Sequence, residues 1–310
     1  MTRTPHPREP ATRNALKRLE LMVTRRLTGA VHGDIEGFFP GPGTETGDGR
    51  IYVPGDDVRL IDWNLTARTS EVHVRDPIHD HELDVWLVVD ASPSQYFGTR
   101  IGEKRELAMF TAAAFGFAAS RLANRVGGVL VFDGQTTVFP PRSGEAGLNA
   151  LLHSIASSPR GSPAGRTDLA GPLASTAAYT VRRGFIAVIS DFLLQPGWQA
   201  ELHQLSQRHT VVAVEVVDPR ELELVDIGSV LLEDPETGEQ LCVDTSDSAL
   251  RERYQQAAAR RRRELAGSIT RTGAEHLRVD TDADWIGQMV DFLRSRRLHQ
   301  HGYRRAVWQT

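Results

Sequence analysis

A single cysteine, Cys242, is all the thiol in this chain of 310 residues. One cysteine closes no intrachain disulfide and cannot build a thiolate zinc cluster, so a disulfide-stapled secreted scaffold and a cysteine-type zinc module are both excluded. Long apolar runs are scarce as well. The longest candidate, Leu107 to Ala119, lies between Glu106 and Arg121 and falls short of the ~20 residues a membrane-spanning helix needs. The start, Met1-Thr2-Arg3-Thr4-Pro5-His6-Pro7-Arg8, lacks the apolar core of a signal peptide. These absences give the expectation of a soluble protein in a reducing cytoplasm. No Gly-x-x-x-x-Gly-Lys-Ser/Thr stretch exists to cradle a nucleotide phosphate, and no Gly-x-Ser-x-Gly elbow to present a serine nucleophile.

What is present is charge, unevenly placed. Residues 1–32 carry seven Lys/Arg against two Glu, and residues 251–310 carry thirteen Arg against seven acids, while residues 33–250 hold 16 basic and 31 acidic side chains. An acidic middle argues against a nucleic-acid-binding core and suits a cation or a basic partner.

The apolar pattern predicts an alternation of strands and helices. Leu83-Asp84-Val85-Trp86-Leu87-Val88-Val89-Asp90 is a near-continuous apolar run ending on a carboxylate, as expected of a central parallel strand covered on both faces. Helix over 103–124, strand over 126–132, helices over 147–157 and 169–181, strand over 185–190, helix over 198–208 and strand over 211–217 follow. Two short strand-like pieces around 230–232 and 240–243, joined by Asp234-Pro235-Glu236-Thr237-Gly238, read as an inserted hairpin. A long Arg-rich helix over 247–272, a strand over 275–279 and a helix over 283–296 close the pattern. The expectation is an α/β fold, doubly wound around a mostly parallel sheet. Ahead of it stand an amphipathic helix over 12–28, a Gly/Pro-rich loop over 33–49, and a turn, Pro54-Gly55-Asp56-Asp57, whose acids are placed to cap a short helical turn. The division expected is an N-terminal extension over 1–80, the main domain over 81–300 with the hairpin near 218–245, and a tail over 301–310.

In such a sheet ligands bind beyond the carboxyl ends of the strands, where the strand order reverses. Three segments stand there: Asp90-Ala91-Ser92-Pro93-Ser94, Gly165-Arg166-Thr167-Asp168 and Asp191. Carboxylate and hydroxyl oxygens without thiolate or imidazole suit a hard divalent cation such as Mg²⁺. Each residue has a plainer use: Ser92 or Ser94 capping the next helix, Thr167 capping the one near Leu169, Asp191 standing in a turn. Their joint occurrence at the ends of the right strands favours a shared site.

Asp90-x-Ser92-x-Ser94, Thr167 and Asp191 together resemble the metal-ion-dependent adhesion site of von Willebrand factor A domains. From about Gly33 onward the chain resembles the bacterial DUF58 family, whose hallmark is similar to the run Tyr52-Val53-Pro54-Gly55-Asp56-Asp57-Val58-Arg59-Leu60-Ile61-Asp62-Trp63-Asn64-Leu65-Thr66-Ala67-Arg68-Thr69. Asp234 to Gly238 and Arg278-Val279-Asp280-Thr281 resemble the family too. The resemblance implies a von Willebrand factor A-like domain and a non-catalytic adaptor or co-chaperone role beside a MoxR-type AAA+ ATPase and its client proteins. It also implies Mg²⁺, or Mn²⁺ or Ca²⁺ in its place, with Ser92, Ser94 and Thr167 as direct ligands and Asp90 and Asp191 acting partly through water. A partner's Asp or Glu would complete the shell. Where many such domains have glycine, this sequence has Pro93 inside the first motif and Phe192 after Asp191, and a bulky ring there is expected to narrow access.

Asp56, Asp57, Asp62 and Trp63 admit two readings, a partner-recognition patch or an anchor in which Trp63 pins the extension while Arg59 and Arg68 pair with the acids. His79-Asp80-His81-Glu82 has zinc-ligand spacing but no third His or Cys nearby, and reads as a polar strand face. Arg260-Arg261-Arg262-Arg263 reads as a solvated helix face rather than a polyanion site. The competing functional reading is a metal-dependent phosphoester hydrolase using Asp90 and Asp191. Such enzymes usually gather more carboxylates or histidines and a base for water.

Overall fold

The computed structural model describes residues 39, 50–53, 58, 61–69, 71–74, 82–98, 102–132, 134–159, 167–193 and 197–307. The expected helix over 12–28, most of the 33–49 loop, Asp56, Asp57 and the His79/His81 pair lie outside them.

The extension forms a small unit of its own. Strands β1 (Arg50–Ile51) and β2 (His73–Val74) pair antiparallel around helix α1 (Trp63–Thr69). The cap of α1 is Asp62, whose Oδ1 accepts the Leu65 N–H at 3.2 Å.

The main domain begins with β3 (Asp84–Asp90). Successive side chains of a strand point to opposite faces. Val85, Leu87 and Val89 therefore enter one core cluster, and Trp86 and Val88 the other. Helix α2 (Lys104–Arg121), β4 (Arg125–Phe132), β5 (Gln135–Arg142), α3 (Ala146–Ser157), α4 (Ala170–Tyr179), β6 (Phe185–Ser190), α5 (Trp198–Arg208) and β7 (Thr210–Val217) follow. The hairpin β8 (Ser229–Glu233) and β9 (Gln240–Asp244), then α6 (Ser248–Arg271), β10 (Glu275–Asp280) and α7 (Trp285–Val307) complete the chain. The last helix runs through the region expected to be a tail, as far as Val307.

The six-stranded sheet has the order β10-β7-β6-β3-β4-β5, parallel except for the β4–β5 edge pair. Helices α2, α3 and α7 cover one face, with Phe115, Leu151 and Met289 buried there. Helices α4, α5 and α6 cover the other through Leu173, Leu202 and Ile269. This is the doubly wound α/β arrangement expected of a von Willebrand factor A-like domain. Phe39 adds a core residue from outside the domain, meeting Phe185 edge-on at 4.9 Å between ring centroids.

Sheet order fixes where a ligand can go. From β3 the chain passes through α2 to β4 on one side, then returns to β6 on the other side of β3, so the order reverses between β3 and β6. The crevice beyond their carboxyl ends, after Asp90 and Ser190, is the expected binding position.

Candidate functional site

The loop after β3 folds back on its own carboxylate. Asp90 Oδ1 accepts the Ser92 N–H at 2.9 Å, and the Ala91 N–H bonds the Val131 carbonyl of β4 at 2.8 Å. Pro93 then opens a short 3-10 turn, Pro93–Tyr96, a first-turn position where its missing N–H costs nothing. Ser92 makes no side-chain cap to that turn. Instead its hydroxyl lies 3.0 Å from the Ser94 hydroxyl, both buried.

Asp90 is fully withdrawn from water. Its Oδ2 accepts the Ser190 hydroxyl at 2.6 Å from the neighbouring strand β6, and Gln95 Nε2 stands 3.5 Å away. Burial raises the Asp90 carboxyl to about 6 and the Asp191 carboxylate adds to the rise, against hydrogen bonds from Ser190 and Ser92 that pull it down. Gln95 Oε1, equally buried, finds no hydrogen-bond partner among the described residues.

Thr167 does not cap α4. That task falls to Asp168, whose carboxylate accepts the N–H groups of Ala170 and Gly171 at 2.8 and 3.2 Å. The Thr167 hydroxyl is free to face the crevice, and there it meets Glu236, a residue the sequence reading did not single out. Glu236 Oε2 accepts the Thr167 hydroxyl at 2.8 Å and its N–H at 3.1 Å, while Oε1 accepts the Ser94 N–H at 3.0 Å. One buried carboxylate from the hairpin turn thus bridges the two loops that carry the hydroxyls.

Asp191 stands in a turn and in an ion pair at once. Its Oδ1 accepts the Leu193 N–H at 3.0 Å, and its Oδ2 lies 2.7 Å from Lys104 Nζ. Lys104 Nζ also meets Glu221 Oε1 at 2.5 Å. Neither Lys104 nor Glu221 was a sequence candidate. A basic residue at the head of a helix ordinarily reads as solvated, whereas this one has no exposed side chain.

Phe192 overturns the expectation of a ring narrowing the site. Its backbone takes φ +53°, and the ring turns under the sheet to pack on Trp198 at 5.2 Å between centroids, 5% exposed. Trp63, at the head of α1, is 70% exposed. Arg262, half-buried, faces Glu215 at 3.7 Å, whereas Arg260, Arg261 and Arg263 are exposed.

The structure therefore brings Asp90, Ser92, Ser94, Thr167 and Asp191 to one crevice and adds Glu236 and Lys104. Among the described residues no three His, Cys, Asp or Glu side chains gather as a metal cluster, so any cation here would rest largely on hydroxyl oxygens. The donors fit one. Buried hydroxyl and carboxylate oxygens, from Ser92, Ser94, Thr167, Asp90 and Asp191, are the hard donors that Mg²⁺ takes. Gln95 Oε1, on the loop that follows Asp90, is a buried polar atom without a hydrogen-bond partner among the described residues.

Among solved structures the chain is similar to BatB from Bacteroides thetaiotaomicron, with a TM-score of 0.43 and 18% identity over 69% of this chain and 98% of that one. It is also similar to the SpRpn10 VWA domain, with a TM-score of 0.37 and 12% identity over 69% and 95%. Sequence relatives are closer. The uncharacterized protein Rv1480 of Mycobacterium tuberculosis is 44% identical over 290 residues, 93% of this chain and 91% of the relative, and the uncharacterized protein MAV169 of Mycobacterium avium is 43% identical over 161 residues, 52% of this chain and 95% of the relative. The family model described as protein of unknown function DUF58 matches residues 48–264, and this chain belongs to that family.

Proposed function

We propose that this protein is a non-catalytic, cytoplasmic protein-interaction module that holds a divalent cation and serves as adaptor between a MoxR-type AAA+ ATPase and client proteins. The observation that carries the cation is the set of oxygens from three separate loops, Asp90, Ser92, Ser94 and Thr167 with Asp191 beside them, converging where the strand order reverses. Ser92, Ser94 and Thr167 would bind the ion directly. Asp191, whose Oδ2 is already paired with the Lys104 ammonium, and Asp90 would act through water. Mg²⁺ is the natural occupant of so hard a donor set, with Mn²⁺ or Ca²⁺ as substitutes. When bound, the ion would supply a Lewis-acidic position for a carboxylate, and the buried Ser92, Ser94 and Thr167 would hold it beside Asp90 and Asp191. A catalytic use would need a base for water, and Asp191, tied to Lys104, is poorly placed to be one. The ATPase partnership is supported by family resemblance, and the exposed Trp63 ring at the head of α1 supports a recognition role for that segment.

Thermal unfolding of wild type and Asp90→Asn with ~10 mM Mg²⁺ or with EDTA tests the cation. A Kd near ~1 mM would stabilise the folded state by about 1.4 kcal/mol, a shift of a few degrees. The shift is expected in wild type and absent from Asp90→Asn. Capture of a MoxR-type ATPase on immobilised protein, with Mg²⁺ or EDTA and with Trp63→Ala alongside, tests the partnership. Equal, background-level capture by all of them would sink it.

A further inference from the structure

Glu236 is a buried carboxylate, 5% exposed, and among the described residues the hydrogen bonds it accepts come from neutral groups, the Ser94 N–H, the Thr167 N–H and the Thr167 hydroxyl. Among the described residues it forms no ion pair. An ionised carboxylate taken out of water without a counter-charge is costly, and neutral donors offset only part of that cost. The carboxylate bridges the two loops that carry the hydroxyls of Ser94 and Thr167.

The element that delivers Glu236 is built for the purpose. Hairpin β8–β9 forms a two-stranded sheet separate from the main one, with most of its residues exposed. Its tip is rigid. Asp234 Oδ1 accepts the Glu236 N–H at 2.8 Å, the Gly238 N–H bonds the Asp234 carbonyl at 2.7 Å, and Gly238 takes φ +73°, which favours glycine. The stem pairs only with itself, so a displacement of the tip would leave the six-stranded sheet intact. A cavity of about 530 Å³ opens beside the tip, lined by Ser94, Asp191, Glu221, Leu232 and Glu236 among others. The cavity reaches the crevice at Ser94, Asp191 and Glu236.

We propose that Glu236 is the chain's own ligand for the cation, occupying in cis the outward position that a partner's Asp or Glu would take, so that the hairpin closes the site until an incoming carboxylate displaces it. This rests on the cation site proposed above. It goes further by naming an internal competitor, and it makes partner binding an exchange of one carboxylate for another rather than an addition. The hairpin becomes the moving part.

The test uses Mn²⁺ as the probe, with affinity read by electron paramagnetic resonance and inner-sphere water by proton relaxation, on the full chain. Wild type, Glu236→Gln, Glu236→Asp and Asp90→Asn are compared. Glu236→Gln is close in shape; Glu236→Asp keeps the charge but withdraws it by one methylene, and stands in should the glutamine variant fold poorly. Expected is Mn²⁺ binding by wild type, its loss in Asp90→Asn, and an affinity about tenfold weaker in Glu236→Gln. The glutamine and aspartate variants should also show an added exchangeable water, which excess acetate removes in them but not in wild type. Wild-type affinity and hydration in both Glu236 variants, or tighter binding, would overturn the internal ligand while leaving the cation site standing. No Mn²⁺ bound by wild type or any variant would overturn the cation site and the internal ligand together.

Discussion

Lys104 and Asp191 form an ion pair of 2.7 Å with side chains 0% and 2% exposed. Burial alone would push the Lys104 ammonium towards neutrality, but Asp191 and Glu221 more than offset it and its pKa is raised above the ordinary 10.5. The first residue of α2 is thereby locked to the loop after β6, fixing the third motif of the site against the first helix. Replacing Lys104 with Met leaves two carboxylates without their cation, a change expected to cost about 3–5 kcal/mol of folding stability. Adding Asp191→Asn removes one of those orphaned charges. Urea denaturation of both single variants and the double variant should give a coupling energy of about 1–3 kcal/mol; simple additivity would show that the contact carries no energy.

Asp90 gives a pH dependence of known sign. Its folded-state pKa of about 6 lies above the 3.8 of the free side chain, so the folded state binds the proton more tightly than the unfolded one. Its contribution to metal-free stability is therefore full below 3.8 and is lost as pH rises through about 6. In EDTA, wild type should gain stability relative to Asp90→Asn as the buffer is taken from about pH 7.5 to 5. Denaturation midpoints of the two proteins at both pH values check it, and a gain in the opposite direction would show that the carboxylate is not desolvated as the structure has it.

The sheet and the first motif were legible because their signals are local. A continuous apolar run ending on Asp90 reads as a central strand in any context, and the spacing of Ser92 and Ser94 travels with it. The edge strand β5 was not legible: Pro140 and Pro141 argue against a strand, and only its place at the sheet's edge, where ladder N–H groups are dispensable, tolerates them. Glu236 was hidden for a different reason. Its turn was visible, but the sequence does not say what a turn touches, and its partners Ser94 and Thr167 lie 142 and 69 residues away. Lys104 was hidden by the general habit of lysines to be solvated. The fate of the Phe192 ring depended on the sign of one backbone angle.

That angle makes an unusual mutational order. At φ +53° a side chain crowds the backbone, which costs about 1–2 kcal/mol that glycine avoids. Phe192→Ala loses the ring from its contact with Trp198 and keeps the strain; Phe192→Gly loses the ring and relieves the strain. Both should be less stable than wild type, by about 3–5 kcal/mol for alanine, with glycine the milder by about 1 kcal/mol. Chemical denaturation ranks the three. Alanine at or above glycine would mean that the loop relaxes out of the left-handed conformation once the ring is gone.

His209 supplies a second titration, remote from the crevice and opposite in sign. At the end of α5 its buried ring uses Nδ1 to accept the Gly184 N–H at 3.2 Å, tying the start of β7 to the approach of β6. Burial, with Arg208 and Arg183 nearby, holds its pKa below the usual 6.5. The unfolded chain therefore takes up its proton first. Stability from this group is full above 6.5 and falls as pH drops through that value towards the lower folded-state pKa. Protonation also turns Nδ1 into a donor facing another donor, ending the hydrogen bond. His209→Asn offers an acceptor that does not titrate, so the variant should lie within about 1–2 kcal/mol of wild type at neutral pH yet escape this part of the acid loss. Urea midpoints of both proteins at about pH 7.5 and 5.5 decide it. Parallel losses in the two would show that the ring is not held neutral by its contact with Gly184.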